Sequence, residues 1–315
     1  MAKKPDGESS RLDDAARAGW LYYIAGNTQD EIAVKLGVSR QTAQRLVSLA
    51  VSERLIKVRL DHPIAKCLDL SRALSAKYGL RLCEVVPSDP ASPSTTLGVA
   101  EATAAELERR LTSQHPIVVA MGSGRTLRAA VEHLPPMECP QHKIVSLVGN
   151  IAPDGSASFY DVIIRIADAV KAPHYPMPLP VIAATTHEKQ LFLAQKSVAS
   201  VVDLARQADV TFVGVGQIGE AAPLVQDGFV TQAEMRALGK AGAVGEIVGW
   251  AFDAKGELID GLTNDRVASV PLDRPARRLI IGAAMGAFKA KAIKAALQGG
   301  LINGLITNEA TAELL

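Results

Sequence analysis

Three glycine-rich turns in the sequence carry residue types that could bind a small ligand or do chemistry. In the first, VVAMGSGRTLRAAVEHL, a predicted strand gives way to a predicted helix within a few residues. Glycines allow the backbone to approach a ligand closely, and amide N–H groups at a helix start can hold an anion. The candidates are Gly122, Ser123, Gly124, Arg125 and Thr126. On spacing alone, an ordinary tight turn between strand and helix is the alternative.

The second turn, FVGVGQIG, matches the G-x-G-x-x-G pattern of dinucleotide-binding proteins at Gly214, Gly216 and Gly219. A dinucleotide fingerprint has to open a long helix at once, and Pro223 follows too soon. We therefore interpret this turn as a loop that lines a ligand and predict no nicotinamide cofactor. The third turn, IIGAAMGAFKAKAIKAALQGG, places Lys289 at a helix start, at the sheet edge where ligands of open α/β folds bind.

No set of side chains in the sequence demands catalysis. Ser123 is not in a G-x-S-x-G nucleophile elbow, because Met121 stands where the first glycine is required. The six histidines have no metal-ligand spacing. Some carboxylates near predicted strand or loop ends could do acid–base chemistry, namely Asp154, Asp161, Asp253 and Asp260. Such carboxylates also accept hydrogen bonds from sugar hydroxyls without any catalysis. Since no combination of residues requires a reaction or a metal, we predict a protein without enzymatic activity, metal or cofactor.

A different kind of chemistry is indicated by TQDEIAVKLGVSRQTAQRLVSLA, residues 28–50. The pattern predicts two short helices, 29–36 and about 40–54, with Thr28 and Ser39 as their N-caps. Gly37 suits the tight turn between them, and Ala33 leaves room for the helices to cross. These are the requirements of a helix-turn-helix unit.

The outer face of the second of these helices is polar and able to form hydrogen bonds, as the reading of base edges requires. Helix N-termini can hold phosphates, and LIKVRL, residues 55–60, predicts a strand of a small wing with basic side chains. The predicted DNA-binding residues are Thr28, Gln29, Ser39, Arg40, Gln41, Thr42, Gln44, Arg45, Lys57 and Arg59. The alternative is a helical hairpin with a solvated outer face.

Length and charge indicate two domains. A chain of 315 residues with 48% hydrophobic residues is long enough for two cores, and its net charge is only +1. Basic residues concentrate locally, since residues 39–59 contain five lysines and arginines and a single acidic residue. We predict a winged helix-turn-helix domain over residues 1–60, whose first helix spans 12–25. An effector and oligomerisation domain follows over 61–315, with 61–80 as a linker helix.

In the larger domain, apolar segments alternate with amphipathic helices. This alternation is typical of a parallel sheet covered on both faces. We predict an α/β fold with a doubly wound, Rossmann-like sheet. The strands are expected within RLCEVV, PIVVAMG, KIVSLVGN, LPVIAATT, DVTFVGVG, RLIIGAAMG and LINGLIT.

Cysteine usage and hydropathy bear on the compartment. Cys67, Cys83 and Cys139 are far apart and form neither a disulfide framework nor a metal-binding pair. No run approaches the ~20 apolar residues of a membrane span, and the N-terminus does not read as a signal peptide. We expect a cytoplasmic protein with no membrane partner.

The order of these parts resembles the SorC family of bacterial sugar-responsive transcription regulators. In that family a helix-turn-helix domain precedes an effector domain related to sugar-phosphate isomerases. The resemblance extends over about residues 11–315. It is carried by TQDEIAVKLGVSRQTAQRLV, MGSGRTLRAAV, GEIVGWAFDAKGELIDG and KAKAIKAALQGGLINGLITNEATAELL.

The resemblance implies an effector pocket at the carboxyl edge of the sheet. The first glycine turn is expected to hold one end of a sugar or its phosphate. Asp253 is expected to accept hydrogen bonds from hydroxyls and Lys289 to close the site, with Gln217 and Asp161 as weaker candidates.

The glycine turn departs from the family pattern at one point. Arg125-Thr126 stands where members that bind phosphosugars often have two threonines. Arginine could grip a phosphate, or it could pair with a carboxylate and leave a site for an unphosphorylated sugar or polyol. Both alternatives are open at this stage.

The resemblance further implies a homotetramer, a dimer of dimers whose paired N-terminal domains read palindromic double-stranded operator DNA. We therefore expect a regulator of carbohydrate or polyol metabolism whose operator affinity is controlled by a sugar, polyol or sugar phosphate. A sugar-phosphate isomerase or deaminase is the alternative, since the sheet and glycine turns would also suit such an enzyme.

Overall fold

The chain forms two compact units, Met1–His62 and Pro63–Leu315. In the computed structural model, the described residues are 6–53, 55–56, 64–92, 95–149, 151, 155–156 and 162–315.

The first unit contains three helices, α1 (Asp6–Tyr23), α2 (Gln29–Leu36) and α3 (Arg40–Ser52). Helix α1 begins before the predicted residue 12 and ends before residue 25. The chain then leaves the helical conformation through Gly26, whose φ is 69°. Residues 57–60 of the predicted wing segment, with Lys57 and Arg59, lie outside the described residues.

The ends of α2 and α3 follow the predicted capping. Thr28 Oγ1 accepts a hydrogen bond from the Glu31 N–H, and the Glu31 carboxylate accepts one from the Thr28 N–H at 2.7 Å, which together form a capping box. Ser39 Oγ accepts from the Thr42 N–H at 3.1 Å. Gly37 has φ 65°, the left-handed conformation expected for the turn.

Small residues let the three helices pack closely. The buried cluster consists of Ala15, Ala18, Ile32, Ala33, Ala43, Leu46, Val47 and Ala50. Leu36 and Val38 pack at its margin, half-buried. Because these apolar residues face the cluster, the polar side chains of α3 are left on the outside.

The second unit is built on a parallel seven-stranded sheet and a smaller antiparallel one. The strands are β1 (Leu82–Val86), β2 (Val118–Met121), β3 (Lys143–Ser146), β4 (His174–Tyr175), β5 (Val210–Val213), β6 (Gly216–Gln217), β7 (Ala243–Ile247), β8 (Trp250–Asp253), β9 (Leu279–Ala283) and β10 (Gly304–Asn308). The large sheet has the order β1-β10-β9-β5-β2-β3-β4, and the small one has the order β6-β7-β8.

Helices cover both faces of the large sheet, which confirms the predicted doubly wound fold. The helices of this unit are α4 (Ala65–Tyr78), α5 (Leu97–Leu111), α6 (Arg125–His133), α7 (Ile163–Val170), α8 (Thr186–Ala194), α9 (Lys196–Arg206), α10 (Pro223–Gln226), α11 (Gln232–Lys240), α12 (Ala290–Gln298) and α13 (Glu309–Ala312). Short 3₁₀ turns span Leu262–Asp265 and Ala287–Lys289. Helices α5, α6 and α7 share one core with the sheet, and α4, α9, α12 and α13 share the other.

One predicted strand is wrong. The segment LPVIAATT, residues 179–186, makes only isolated bridges, between Pro180 and Ile151 and between Ile182 and Val267. Pro180 has no N–H to donate to a ladder. The apolar pattern of this segment instead reflects the burial of Val181 and Ala183 in the core. The edge of the large sheet is formed by β4.

In the described part of the chain, no helix is both long enough and apolar enough to cross a membrane.

Candidate functional site

Three loops meet at the carboxyl edge of the large sheet. Strands β9, β5 and β2 are neighbours and run parallel, so the segments that follow them emerge at the same edge. These segments are residues 122–125, 214–217 and 284–289. The hairpin of β7 and β8 joins them, because β7 pairs with β6 in the second of these loops.

The first glycine turn is tightly packed at its start. A Cβ on the buried Gly122 would lie 3.2 Å from Val248 Cγ1 and 3.3 Å from the carbonyl oxygen of Phe212. Gly124 has φ 123° and precedes α6, whose first turn receives no hydrogen bond from a capping side chain. Amide N–H groups at such an uncapped helix start can bind an anion or a hydroxyl.

The turn of the β7–β8 hairpin packs Val248, a residue with a strained backbone, next to the first glycine turn. Its two turn residues, Val248 and Gly249, have φ 46° and 89°. A two-residue hairpin of this type needs positive φ at both positions, which a β-branched residue adopts at a cost of roughly 1–3 kcal/mol. Val248 is buried where it touches Gly122, so packing holds the strained turn in place.

Glu246 provides the carboxylate of the site. Its Oε2 accepts a hydrogen bond from the Gly249 N–H at 2.8 Å. Burial raises the pKa of Glu246, while the Gly249 N–H and the charge of Lys289 act in the opposite direction. A carboxylate held in this way can accept hydrogen bonds from ligand hydroxyls.

Lys289 provides the ammonium. It lies just before α12, and burial lowers its pKa, an effect that Glu246 opposes and Arg125 reinforces. The turn that ends at Lys289 contacts β6, and β6 pairs with β7 at Glu246. Lys289, Glu246 and the end of the first glycine turn therefore lie at the same edge of the sheet.

Arg125 is engaged by the neighbouring short helix. Its Nη2 donates to Gln226 Oε1 at 2.9 Å. Burial raises the pKa of the adjacent Asp227, and the charge of Arg125 opposes this rise. Arg125 is therefore already bonded to a side chain of the protein.

Gln217 has an unused acceptor. Its Oε1 is buried and has no hydrogen-bond partner among the described residues. Burying a polar atom without a hydrogen-bond partner costs folding free energy. A ligand hydroxyl bound at this loop would supply the missing partner. Ser123 is half-buried and Thr126 buried at the same edge.

Asp253 is hydrogen-bonded within the turn that follows β8. Its Oδ1 accepts from the N–H groups of Lys255 and Glu257, at 2.8 and 2.9 Å, and so serves its own turn. That turn packs against the C-terminal end of α12, since a Cβ on Gly256 would lie 2.7 Å from Gly299 Cα. Lys289 precedes the opposite end of this helix. Asp161, the other predicted carboxylate, lies outside the described residues.

The sequence analysis missed Glu246, although its segment was singled out. The available signal was an acidic residue inside the apolar strand AVGEIVGWAF. The sequence analysis gives the hydroxyl-binding role to Asp253, the later carboxylate in the same segment. Glu246 pairs with Gly216 in the second of the three loops, a tertiary contact that cannot be read from one sequence.

The predicted DNA-binding face of α3 is open. Arg40, Gln41, Thr42, Gln44 and Arg45 are all exposed, as are Ser39 and Thr28, while Gln29 is half-buried. Arg40 Nε lies 3.3 Å from Asp30 Oδ1 in a pair of exposed side chains. Such pairs stabilise a protein by only about 0–1 kcal/mol, so a phosphate or base edge can replace Asp30.

A glycine substitution tests the position of Glu246. At Gly216, a Cβ would lie 1.9 Å from Glu246 Oε1 and 2.8 Å from its Cδ. We expect Gly216→Ala to lower the free energy of unfolding by about 1–3 kcal/mol, because the carboxylate must move. The measurement is denaturant unfolding. Gly239→Ala is the matched control, since its Cβ meets nothing within 4 Å inside α11, and it should be neutral or stabilising. Equal effects of the two changes would contradict the placement of Glu246.

Comparison with known proteins identifies relatives along the whole chain. Residues 62–315 match the Sugar-bind family of sugar-binding domains. The chain is 34% identical over 301 residues to the erythritol catabolism regulatory protein EryD of Brucella abortus, covering 96% of this chain and 95% of EryD. It is 32% identical over 305 residues to the transcriptional regulator LsrR of Klebsiella pneumoniae, with 94% and 90% covered.

A solved structure supports the same relationship. The full-length sorbitol operon regulator SorC from Klebsiella pneumoniae superimposes with a TM-score of 0.69 at 25% identity. The match covers 97% of this chain and 99% of that protein. Both the three-helix unit and the α/β unit therefore have counterparts in a protein of known structure.

Proposed function

The chain belongs to the SorC family of sugar-responsive transcriptional regulators, and on this premise we propose that a small neutral polyol, bound beside Glu246 and Lys289, controls its affinity for operator DNA. The observation that carries the proposal is the placement of the half-buried Glu246 carboxylate, paired through its strand with Gly216 and bonded to the Gly249 N–H, at the edge of the sheet where the half-buried Lys289 also lies.

The groups at this edge suit hydroxyls. The Glu246 carboxylate and the unpaired Gln217 Oε1 can accept hydrogen bonds, and the Lys289 ammonium can donate them. Backbone N–H groups of the first glycine turn add donors. A polyol offers donors and acceptors on neighbouring carbons and can satisfy both kinds of partner at once.

The balance of charge favours a neutral effector over a phosphorylated one. Lys289 and Arg125 are matched by Glu246 and Asp227, so these four residues carry no net charge to hold a phosphate dianion. Arg125 is also held by Gln226. The relative EryD is named for erythritol catabolism, and a four-carbon polyol of this kind is the effector that we propose.

DNA binding is assigned to α3 and the N-termini of α2 and α3. The exposed side chains from Arg40 to Arg45 would enter the major groove, with Ser39 and Thr28 against phosphates. We further propose a cytoplasmic homotetramer that reads paired half-sites, and we assign no catalytic step to the effector site.

Effector control requires two arrangements of the protein that bind the polyol unequally. In the arrangement that binds DNA, two copies of α3 would be spaced to meet half-sites about one helical turn apart. The effector would favour one arrangement over the other and so change the fraction of protein that is competent to bind.

The test is a gel-shift titration of the purified protein on the DNA upstream of its own gene, with and without erythritol. We expect sequence-specific retardation that weakens with salt and a midpoint that moves when erythritol is added. Absence of specific retardation would refute DNA control. Retardation that responds only to sugar phosphates would refute the neutral effector.

A further inference from the structure

A cavity of about 370 Å³ lies between helix α8, strand β8 and residues 258–265. Small-molecule sites typically measure roughly 300–1,000 Å³. The walls combine an aromatic ring, aliphatic surface and polar groups, including Lys189, Gln190, Trp250, Leu258, Asp260 and Asp265.

This cavity is separate from the effector site. Trp250 pairs across the hairpin with Ile247, whereas Glu246 pairs with Ala251. Successive side chains of a strand point to opposite faces, so Trp250 and Glu246 lie on opposite faces of the hairpin. A ligand that touches Trp250 is therefore not the ligand of Glu246.

The cavity wall is rigid because Asn264 ties its parts together. This buried side chain donates to the carbonyl oxygens of Ala251 and Ile259, each at 2.8 Å, and accepts from the Ala251 N–H at 2.9 Å. The loop beyond β8 is thereby bonded to the strand that carries Trp250. A fixed wall allows a ligand to bind without the cost of ordering the site.

The Lys189 ammonium can donate hydrogen bonds to a ligand. Its Nζ lies 4.9 Å from the centre of the Trp250 ring and 3.4 Å from the carbonyl oxygen of Asn264. Burial lowers the pKa of Lys189, and the charge of Asp265 opposes this. An ammonium has three donors, and a single contact of 3.4 Å satisfies one of them only weakly.

We propose that this cavity is a second ligand site that takes a neutral monosaccharide or cyclic polyol. Hydroxyls would donate to the carboxylates of Asp260 and Asp265 and accept from Lys189, and the C–H face of the ring would pack on Trp250 and Leu258. Two carboxylates against one ammonium leave a net negative charge, which disfavours sugar phosphates.

Trp250 makes the proposal directly measurable. The chain contains two tryptophans, so Trp20→Phe leaves Trp250 as the sole indole in the full-length protein. We expect D-glucose or myo-inositol to change its fluorescence in a saturable manner. Asp260→Asn should weaken this response about tenfold or more, since a hydrogen bond to a charged group contributes about 1.5–3 kcal/mol.

The controls separate this site from the proposed effector site. Lys196→Ala removes an exposed charge from the neighbouring α9, and Lys289→Ala alters the effector site. Neither should change the Trp250 titration. No saturable response to either neutral ring would overturn the proposal. So would a response lost with Lys289→Ala but kept with Asp260→Asn, or a stronger response to glucosamine or glucose 6-phosphate than to glucose.

Discussion

Lys289→Ala is expected to lower the affinity for erythritol by roughly 10- to 100-fold while operator binding without ligand stays unchanged. The ammonium would donate a charge-assisted hydrogen bond to the polyol, an interaction of about 1.5–3 kcal/mol. Loss of Lys289 also leaves the Glu246 carboxylate without its cationic neighbour. The measurement is isothermal titration of full-length protein with erythritol, followed by gel shift of the variant.

A pH profile adds a second readout for the same pair. Burial raises the pKa of Glu246, so on acidification its carboxylate is protonated at a higher pH than an ordinary glutamate. Erythritol affinity of the unmodified protein should therefore fall as the pH drops through that raised pKa. In Glu246→Gln the affinity should be weaker and insensitive to pH over this acid range.

Lys294→Ala is the matched control for Lys289→Ala. Lys294 is an exposed lysine of α12, the helix that Lys289 precedes, so the same charge is removed without touching the site. It should leave the affinity for erythritol unchanged. If Lys294→Ala and Lys289→Ala weakened binding equally, the effect would be one of general charge, and the assigned site would be wrong.

The double change Arg40→Ala and Gln44→Ala is expected to remove specific operator binding. Each side chain is exposed on the outer face of α3, one turn apart. A good bidentate base contact contributes about 1–3 kcal/mol of discrimination, so the two together predict a loss of roughly 30-fold to 10⁴-fold. Fluorescence anisotropy with specific and scrambled duplexes measures it.

Two controls test whether the double variant loses DNA binding only because it is unfolded or less positively charged. Arg40 forms an ion pair with Asp30 in which both side chains are exposed, so the melting temperature should change little. Arg17→Ala removes an exposed arginine from α1 and should leave specific binding intact. Erythritol affinity should also be unchanged in the double variant. A loss of both ligand and DNA binding would contradict separate sites.

Features set by short-range pattern were predictable from the sequence. The capping box at Thr28, the cap at Ser39 and the left-handed Gly37 depend on residues a few positions apart, and the structure has all three. The parallel sheet followed from alternating apolar strands and amphipathic helices. The exposed face of α3 followed from the spacing of its apolar residues.

Features set by tertiary contacts were not predictable in the same way. The position of Glu246 depends on the pairing of β7 with β6, and the hydrogen-bond partner of Arg125 lies on α10, about 100 residues later. Residues 179–186 have the apolar pattern of a strand because Val181 and Ala183 are buried, although Pro180 prevents a regular ladder. The cavity beside Trp250 arises from three separate segments.

The most direct test of the central claim is a gel-shift titration of the full-length protein and of Lys289→Ala on the same operator fragment, each with and without erythritol. We predict that both proteins bind the fragment equally well without ligand, and that erythritol shifts the midpoint only for the unmodified protein. An identical erythritol-dependent shift in both proteins, or none in either, would contradict control of DNA binding from the Glu246–Lys289 site.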